Sequence, residues 1–347
     1  MAIMSERKQY GALDFAKFIA SIIIIVLHTN PFSSYSSILN FGFRNIITIV
    51  AVPFFFITSG FLFCAKLNSL NEDSGAYLKK YIKRLVVMYL LWSAVYFVFV
   101  ATDWVKNGVS LSDVLQYIKR FFFEGSYQTI WFLPALMTSV SIVYLLRKKL
   151  SYKNIFILAI PFYVIACFGS SYYGLSVKIP VVNNFYNAYF SFSDTIKNGV
   201  LFGWIYVALG GVFSEKTFKT KPCKYFVLSC VFFVLMAGET IVQTYLKWAT
   251  NGVDTKFILL PLSASLFCLV MSLNIKTNPV LVRMRELSLL MFLSQRIFLT
   301  LFDWLLTDTI FVQNSMVYFI SILGFTIIFS RVFIVLSEKI KILKRFY

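Results

Sequence analysis

The 347-residue sequence is 59% hydrophobic, 19% aromatic and only 14% charged, with a mean hydropathy of +0.76; a soluble globular domain carries roughly 25% charged residues. This balance excludes a soluble fold, so the net charge of +18 is weighed by where the basic residues fall before it is read as a nucleic-acid signature. Cys64, Cys167, Cys223, Cys230 and Cys268 are scattered without a close pair, and His28 is the single histidine; no metal site is expected.

Ten apolar runs near the roughly 20 residues needed to cross a bilayer recur at 12–32, 46–65, 85–103, 129–147, 154–170, 197–214, 225–246, 257–274, 287–307 and 315–337. No run of polar sequence between them is long enough for a soluble domain. The expected fold class is therefore all-α: one polytopic integral membrane helix bundle of about ten transmembrane helices spanning 1–347. The first run lacks a small-residue cleavage site and reads as a retained helix, not a removable signal peptide. Of the 33 Lys and Arg, 22 fall on the N-terminus, alternate loops and the tail, against seven on the opposite set. The positive-inside rule then places both termini in the cytoplasm, in agreement with an even number of spans. Nucleic acid is excluded as a partner, and anionic lipid headgroups account for much of the basic charge.

The first run, "LDFAKFIASIIIIVLHTNPF", carries Asp14, Lys17 and His28. Lys17 and His28 are 11 residues apart, three helical turns plus about 20°, and so share one face over a rise of about 16 Å. Asp14 precedes Lys17 by three residues and can pair with it. Ionisable groups in a span usually face an interior and mark a functional route; a lone histidine there suits a general base. The bland readings are an interfacial Asp14–Lys17 ion pair and a histidine at a helix end.

Further along, Pro53, Pro134, Pro161 and Pro261 fall within or at the edges of runs, where freed backbone groups tend to face protein or a cavity. Residues 109–123 form an amphipathic pattern with Ser112 as N-cap. The 171–194 stretch is rich in Tyr, Asn and Ser, suited to sugars and equally to an interfacial belt. Glu239 is a lone mid-span carboxylate expected to face a cavity. Arg296 and Asp303 are two turns apart and open to pairing with each other or with Glu239, and Arg331 reads as a snorkelling residue.

These residues resemble acyltransferase family 3 of membrane-bound acyltransferases. Its first helix has Arg or Lys, ten residues, then His, matched by Lys17 and His28. "VAVPFFFITSGFLF" is similar to its second helix through Pro53, Phe54, Phe55, Ser59 and Gly60; "IWFLPAL" resembles a segment that places Trp131; "KNGVLFGWIYVALG" resembles a helix in which Lys197 replaces Arg. The Glu239 span and "LSLLMFLSQ" also correspond, so the likeness covers nearly the whole chain. Its wording is closest to members that acetylate surface polysaccharides and to the membrane domain of membrane-bound serine racemases. One departure stands out: where the ninth helix of the family often ends in Tyr-x-x-His, this chain has Phe292 and Gln295.

The resemblance implies a bacterial plasma-membrane O-acetyltransferase. It would move an acyl group, usually acetyl, from cytoplasmic acetyl-CoA to a hydroxyl of an extracytoplasmic surface polysaccharide or lipid-linked glycan. His28 would be the catalytic centre, with Asp14 and Glu239 as supporting carboxylates. Lys17, Lys197, Trp131 and Ser59 would hold the acyl-CoA donor or the developing oxyanion. Two other readings stay open: a transporter of a small solute or glycan intermediate, and a scaffold in a glycan-assembly complex. Assembly as a homodimer also stays open.

Overall fold

The computed structural model describes residues 10–70, 74–218 and 222–347. The basic N-terminal residues and part of the 215–224 loop, both used in the topology argument, lie outside the described residues. No strand occurs among the described residues, and the major helices follow the apolar runs: α1 (Gly11–Thr29), α2 (Ser37–Leu67), α3 (Ser74–Asn107), α4 (Leu111–Phe123), α5 (Phe132–Arg147), α6 (Tyr152–Phe168), α7 (Tyr173–Ser176), α8 (Pro180–Phe192), α9 (Gly199–Ser214), α10 (Pro222–Tyr245), α11 (Leu259–Ser272), α12 (Pro279–Leu305), α13 (Ile310–Gln313) and α14 (Ser315–Lys339). By length and composition α1, α2, α3, α10, α12 and α14 can cross a membrane. The helices α5, α6, α9 and α11 have 10–17 residues, and at 1.5 Å per residue none by itself reaches across a hydrocarbon core of about 30 Å.

The chain is a multi-pass membrane bundle, and its burial pattern shows which faces meet lipid. Only 17% of the apolar windows of α10 and α14 is buried, against 67% for α2. Phe226, Val227, Val234 and Val335 are exposed and apolar, which water would penalise and acyl chains do not. Helix α2 lies at the centre, its backbone in contact with α9. A Cβ on Gly60 would sit 2.5 Å from the Val207 carbonyl oxygen, and one on Gly210 would collide with that of Ile57; only glycine allows this approach.

Two irregularities in the first third shape the site. Helix α1 ends where Asn30 turns left-handed (φ 47°) and its N–H bonds the Val26 carbonyl, a conformation asparagine tolerates. That places His28 in the last turn, beside a helix end. Within α2 a π-helical stretch (Phe43–Ile47) and a 3₁₀ turn (Thr48–Val50) precede Pro53. Proline has no N–H for the Ile49 carbonyl and its ring crowds that oxygen, so the regular ladder cannot run through this point.

Several expectations are corrected in detail. Helix α4 is capped by Ser110, not Ser112: the Asp113 N–H donates to Ser110 Oγ at 3.2 Å, and the Ser110 N–H donates to the Asp113 carboxylate at 2.9 Å. This reciprocal box satisfies two helix-end donors, which Ser112, inside the first turn, does not offer. The 171–194 stretch folds into α7 and α8, and its tyrosines serve the scaffold. Tyr186 donates to the Ile165 carbonyl at 2.7 Å and Tyr189 to that of Thr195 at 2.9 Å. Arg296 and Asp303 do not pair, because two turns separate them by about 10 Å along the axis. Asp303 instead accepts from Tyr318 Oη at 2.8 Å. Among the described residues no group of His, Cys, Asp and Glu could hold a metal ion.

Candidate active site

Helices α1 and α12 run side by side in the same direction. Asp14 faces Arg285 at 3.8 Å, and Ser21 Oγ faces Met291 Sδ at 3.9 Å. At this register the last turn of α1 lies level with the turn of α12 beyond Phe292. There a cavity of about 130 Å³ opens, lined by Ile24, Leu27, His28, Thr48, Ile49, Val52, Pro53, Gln128, Thr129, Trp131, Lys197, Phe202, Asp254 and Phe292. Its lining is mostly aliphatic and aromatic, with Thr48, Gln128, Thr129, Lys197 and Asp254 as the polar residues beside His28. The π and 3₁₀ turns before Pro53 supply Thr48 and Ile49, so the break in α2 faces the cavity.

Lys197 stands just before the N-terminus of α9 and is held by Asp254. Its Nζ lies 2.5 Å from an Asp254 carboxylate oxygen and 5.8 Å from the centre of the Trp131 ring. Burial raises the Asp254 carboxyl, but Lys197 overrides it, with Lys256 and Arg44 adding to the pull, and holds it below the usual carboxylate range. Asp254 therefore stays ionised at neutral pH. The charged groups whose fields reach His28 are Arg296, Lys197, Asp254 and Arg44; of these, Lys197 and Asp254 line the cavity.

The loop that carries Asp254 is built by Glu239. Its carboxylate accepts from Tyr172 Oη at 2.7 Å, from the Phe257 N–H at 2.9 Å and from the Ile258 N–H at 3.0 Å. The carboxylate therefore caps the start of α11, where the helix dipole favours negative charge. The loop is pinned at its other end by the Gly174 N–H donating to the Trp248 carbonyl at 2.8 Å. Lys256, fully buried, donates to the Asn45 carbonyl at 2.9 Å and to Thr240 Oγ1 at 2.6 Å, tying the π stretch of α2 to α10. Burial pulls its ammonium down to about 8, with Glu239 and Asp254 acting the other way.

The expected site residues therefore divide. His28, Lys197 and Trp131 come together in one cavity. Glu239 does not line it and acts through the loop as a positioning carboxylate. Ser59 is six residues beyond Pro53, about 240° further round the helix, and does not line it either. Asp14 and Lys17 form the expected ion pair at 2.9 Å, with Asp14 4% exposed, three or more turns from His28. Lys17 is thus already engaged by a carboxylate, and Arg285, 40% exposed at its side chain, is the freer cation at that end. Gln295, in the position of the family's second histidine, is buried and donates through Nε2 to the Phe292 carbonyl at 3.2 Å; Phe292 itself lines the cavity.

Asp254, Arg44, Gln128 and Thr129 were not singled out by the sequence. Asp254 alone left a signal there, as an acidic residue in a short loop on the side opposite most of the basic ones.

An all-helical membrane bundle whose single histidine lines a mostly apolar cavity beside a lysine–aspartate pair defines a class of intramembrane site suited to proton transfer. The acyltransferase domain matches residues 10–335, and the chain belongs to acyltransferase family 3. It is 30% identical over 346 residues to an amino-acid racemase of Enterococcus faecalis, covering 97% of this chain and 47% of that protein. A second amino-acid racemase of Enterococcus faecalis is 25% identical over 338 residues, again covering 47% of its length. A serine/alanine racemase of Enterococcus gallinarum is 28% identical over 254 residues. The chain thus spans about half the length, or less, of these relatives. No solved structure matches it.

Proposed function

We propose that this chain is a membrane O-acetyltransferase with ten crossings and both termini cytoplasmic, which moves an acetyl group from cytoplasmic acetyl-CoA to a hydroxyl of an extracytoplasmic polysaccharide or lipid-linked glycan. The observation that carries the reading is His28, lining a cavity at one end of α1, whose other end carries the Asp14–Lys17 pair facing Arg285 of α12, in a chain of the acyltransferase family. The separation of about 16 Å between Lys17 and His28 suits a donor that is anionic at one end and carries its thioester on an extended arm.

His28 takes the proton of the acceptor hydroxyl as its oxygen attacks the thioester carbonyl. The carbon–sulfur bond then breaks, and the leaving thiolate receives that proton. The Lys197 ammonium, the Trp131 indole N–H and the Thr129 hydroxyl are the cavity donors for the oxyanion. The test is whether base-labile ester on surface glycan depends on this chain and on His28.

A second reading, uptake of a small solute through the same cavity, draws support from the relatives' names, which concern amino acids. The adjacent Lys197 and Asp254 offer partners for a carboxylate and an ammonium. Uptake of labelled serine that persists without acyl-CoA and stops in Asp254→Asn would favour it.

A further inference from the structure

The charges around the cavity do not balance. Lys197 is matched by Asp254 at 2.5 Å, yet Arg44 and Arg296, which also act on His28, have no carboxylate within ion-pair distance among the described residues. Arg44 stands one turn before Thr48, which lines the cavity and donates to the Arg44 carbonyl at 2.7 Å. Arg296 stands one turn beyond Phe292, another lining residue, and its Nε is buried without a partner. Lys256 donates to neutral acceptors and Glu239 is the carboxylate that chiefly offsets it, so the excess charge is that of Arg44 and Arg296.

Unpaired cations near lipid are costly, and under the proposed orientation they lie on the face where membrane proteins carry few basic residues. Such a cluster is retained where something negative completes it. The donor does not, since the thioester that reaches His28 is neutral and its phosphates would lie at the Lys17 end.

We propose that the acceptor bound beside His28 is anionic: a hydroxyl-bearing molecule that also carries a phosphate or carboxylate, held by Arg44 and Arg296. This rests on the acetyltransferase reading for the word acceptor, but the binding is separable from it. Guanidinium groups pair with either anion through parallel N–H donors. With Lys197 held by Asp254, the anion falls to the two arginines and leaves the hydroxyl near His28.

The experiment uses the full chain in lipid nanodiscs, without acyl donor, and reads quenching of tryptophan emission, with Trp131→Phe identifying the cavity signal. Glucose 1-phosphate and glucuronate should quench saturably, and glucose at least about tenfold more weakly. R44Q and R296Q should each weaken glucose 1-phosphate about tenfold, with elution profiles unchanged; Arg44 is exposed, so R44Q carries the test if R296Q misfolds. Equal affinity for glucose, no binding of either anion, or indifference to both substitutions would overturn the proposal. Coenzyme A displacing glucose 1-phosphate with the same arginine dependence would also overturn it, by giving the cations to the donor. Because no ester is formed in this assay, a failure of acetyl transfer in cells would leave its result standing.

Discussion

Lys197 Nζ and an Asp254 carboxylate oxygen are 2.5 Å apart at the mouth of the cavity that holds His28, although the two residues are separated by 57 positions in sequence. Both side chains are about one third exposed, so solvent screens the pair and its value lies more in placing Lys197 than in stabilising the bundle. Asp254→Asn is expected to lower acetyl transfer tenfold or more with little change in melting temperature. Lys197→Met should do the same, and the double variant should be no worse than the weaker single, since both remove one unit. Initial rates of the four proteins check this.

The same pair sets an acid dependence. Asp254 is held below its ordinary carboxylate value in the folded protein, so its contribution to stability is complete above the unfolded carboxylate range near 3.9 and is lost as pH falls through the folded value. Melting temperatures of wild type and Asp254→Asn should differ by a constant small amount from pH 5 to 7 and converge only in acid, as pH falls through the lowered folded value.

Glu239 carries more of the structure, with two backbone N–H groups and a tyrosine hydroxyl donating to it. Glu239→Ala leaves these donors unpaired and is expected to cost about 2–4 kcal/mol. Hydrogen exchange should rise across 246–258 and stay unchanged in α1. Glu239→Gln, which keeps one acceptor oxygen, should recover part of both stability and activity.

The contact between α2 and α9 tolerates no side chain at its centre. Gly210→Ala puts a methyl group against the Ile57 carbonyl, so the helices must separate along a buried face. The expected result is loss of folded protein in detergent extracts, measured by size-exclusion yield, whereas Gly238→Ala, where a Cβ meets nothing within 4 Å, should leave it unchanged.

What could be read from sequence follows from what helical periodicity and hydropathy encode. The apolar runs locate the long helices, and the 11-residue spacing puts Lys17 and His28 on one face, because both are properties of a single helix. Lys197 and Trp131 came from likeness to the family. Asp254, Thr48 and Phe292 join the cavity through a loop, an irregular stretch of α2 and helix register, which depend on contacts between segments far apart in sequence. Glu239 shows the limit most clearly. A mid-span carboxylate is costly without partners, but its partners proved to be the N–H groups of its own following loop, and hydropathy does not distinguish that from a cavity.

The account rests on His28, and its most direct test is base-labile acyl release, measured by mass spectrometry. The surface glycan would come from cells lacking this chain and complemented with wild type or His28→Ala. Ester restored by wild type and absent with His28→Ala, at equal membrane levels of the two proteins, is the predicted result. Ester that survives deletion of the chain, or that His28→Ala restores in full, would contradict it.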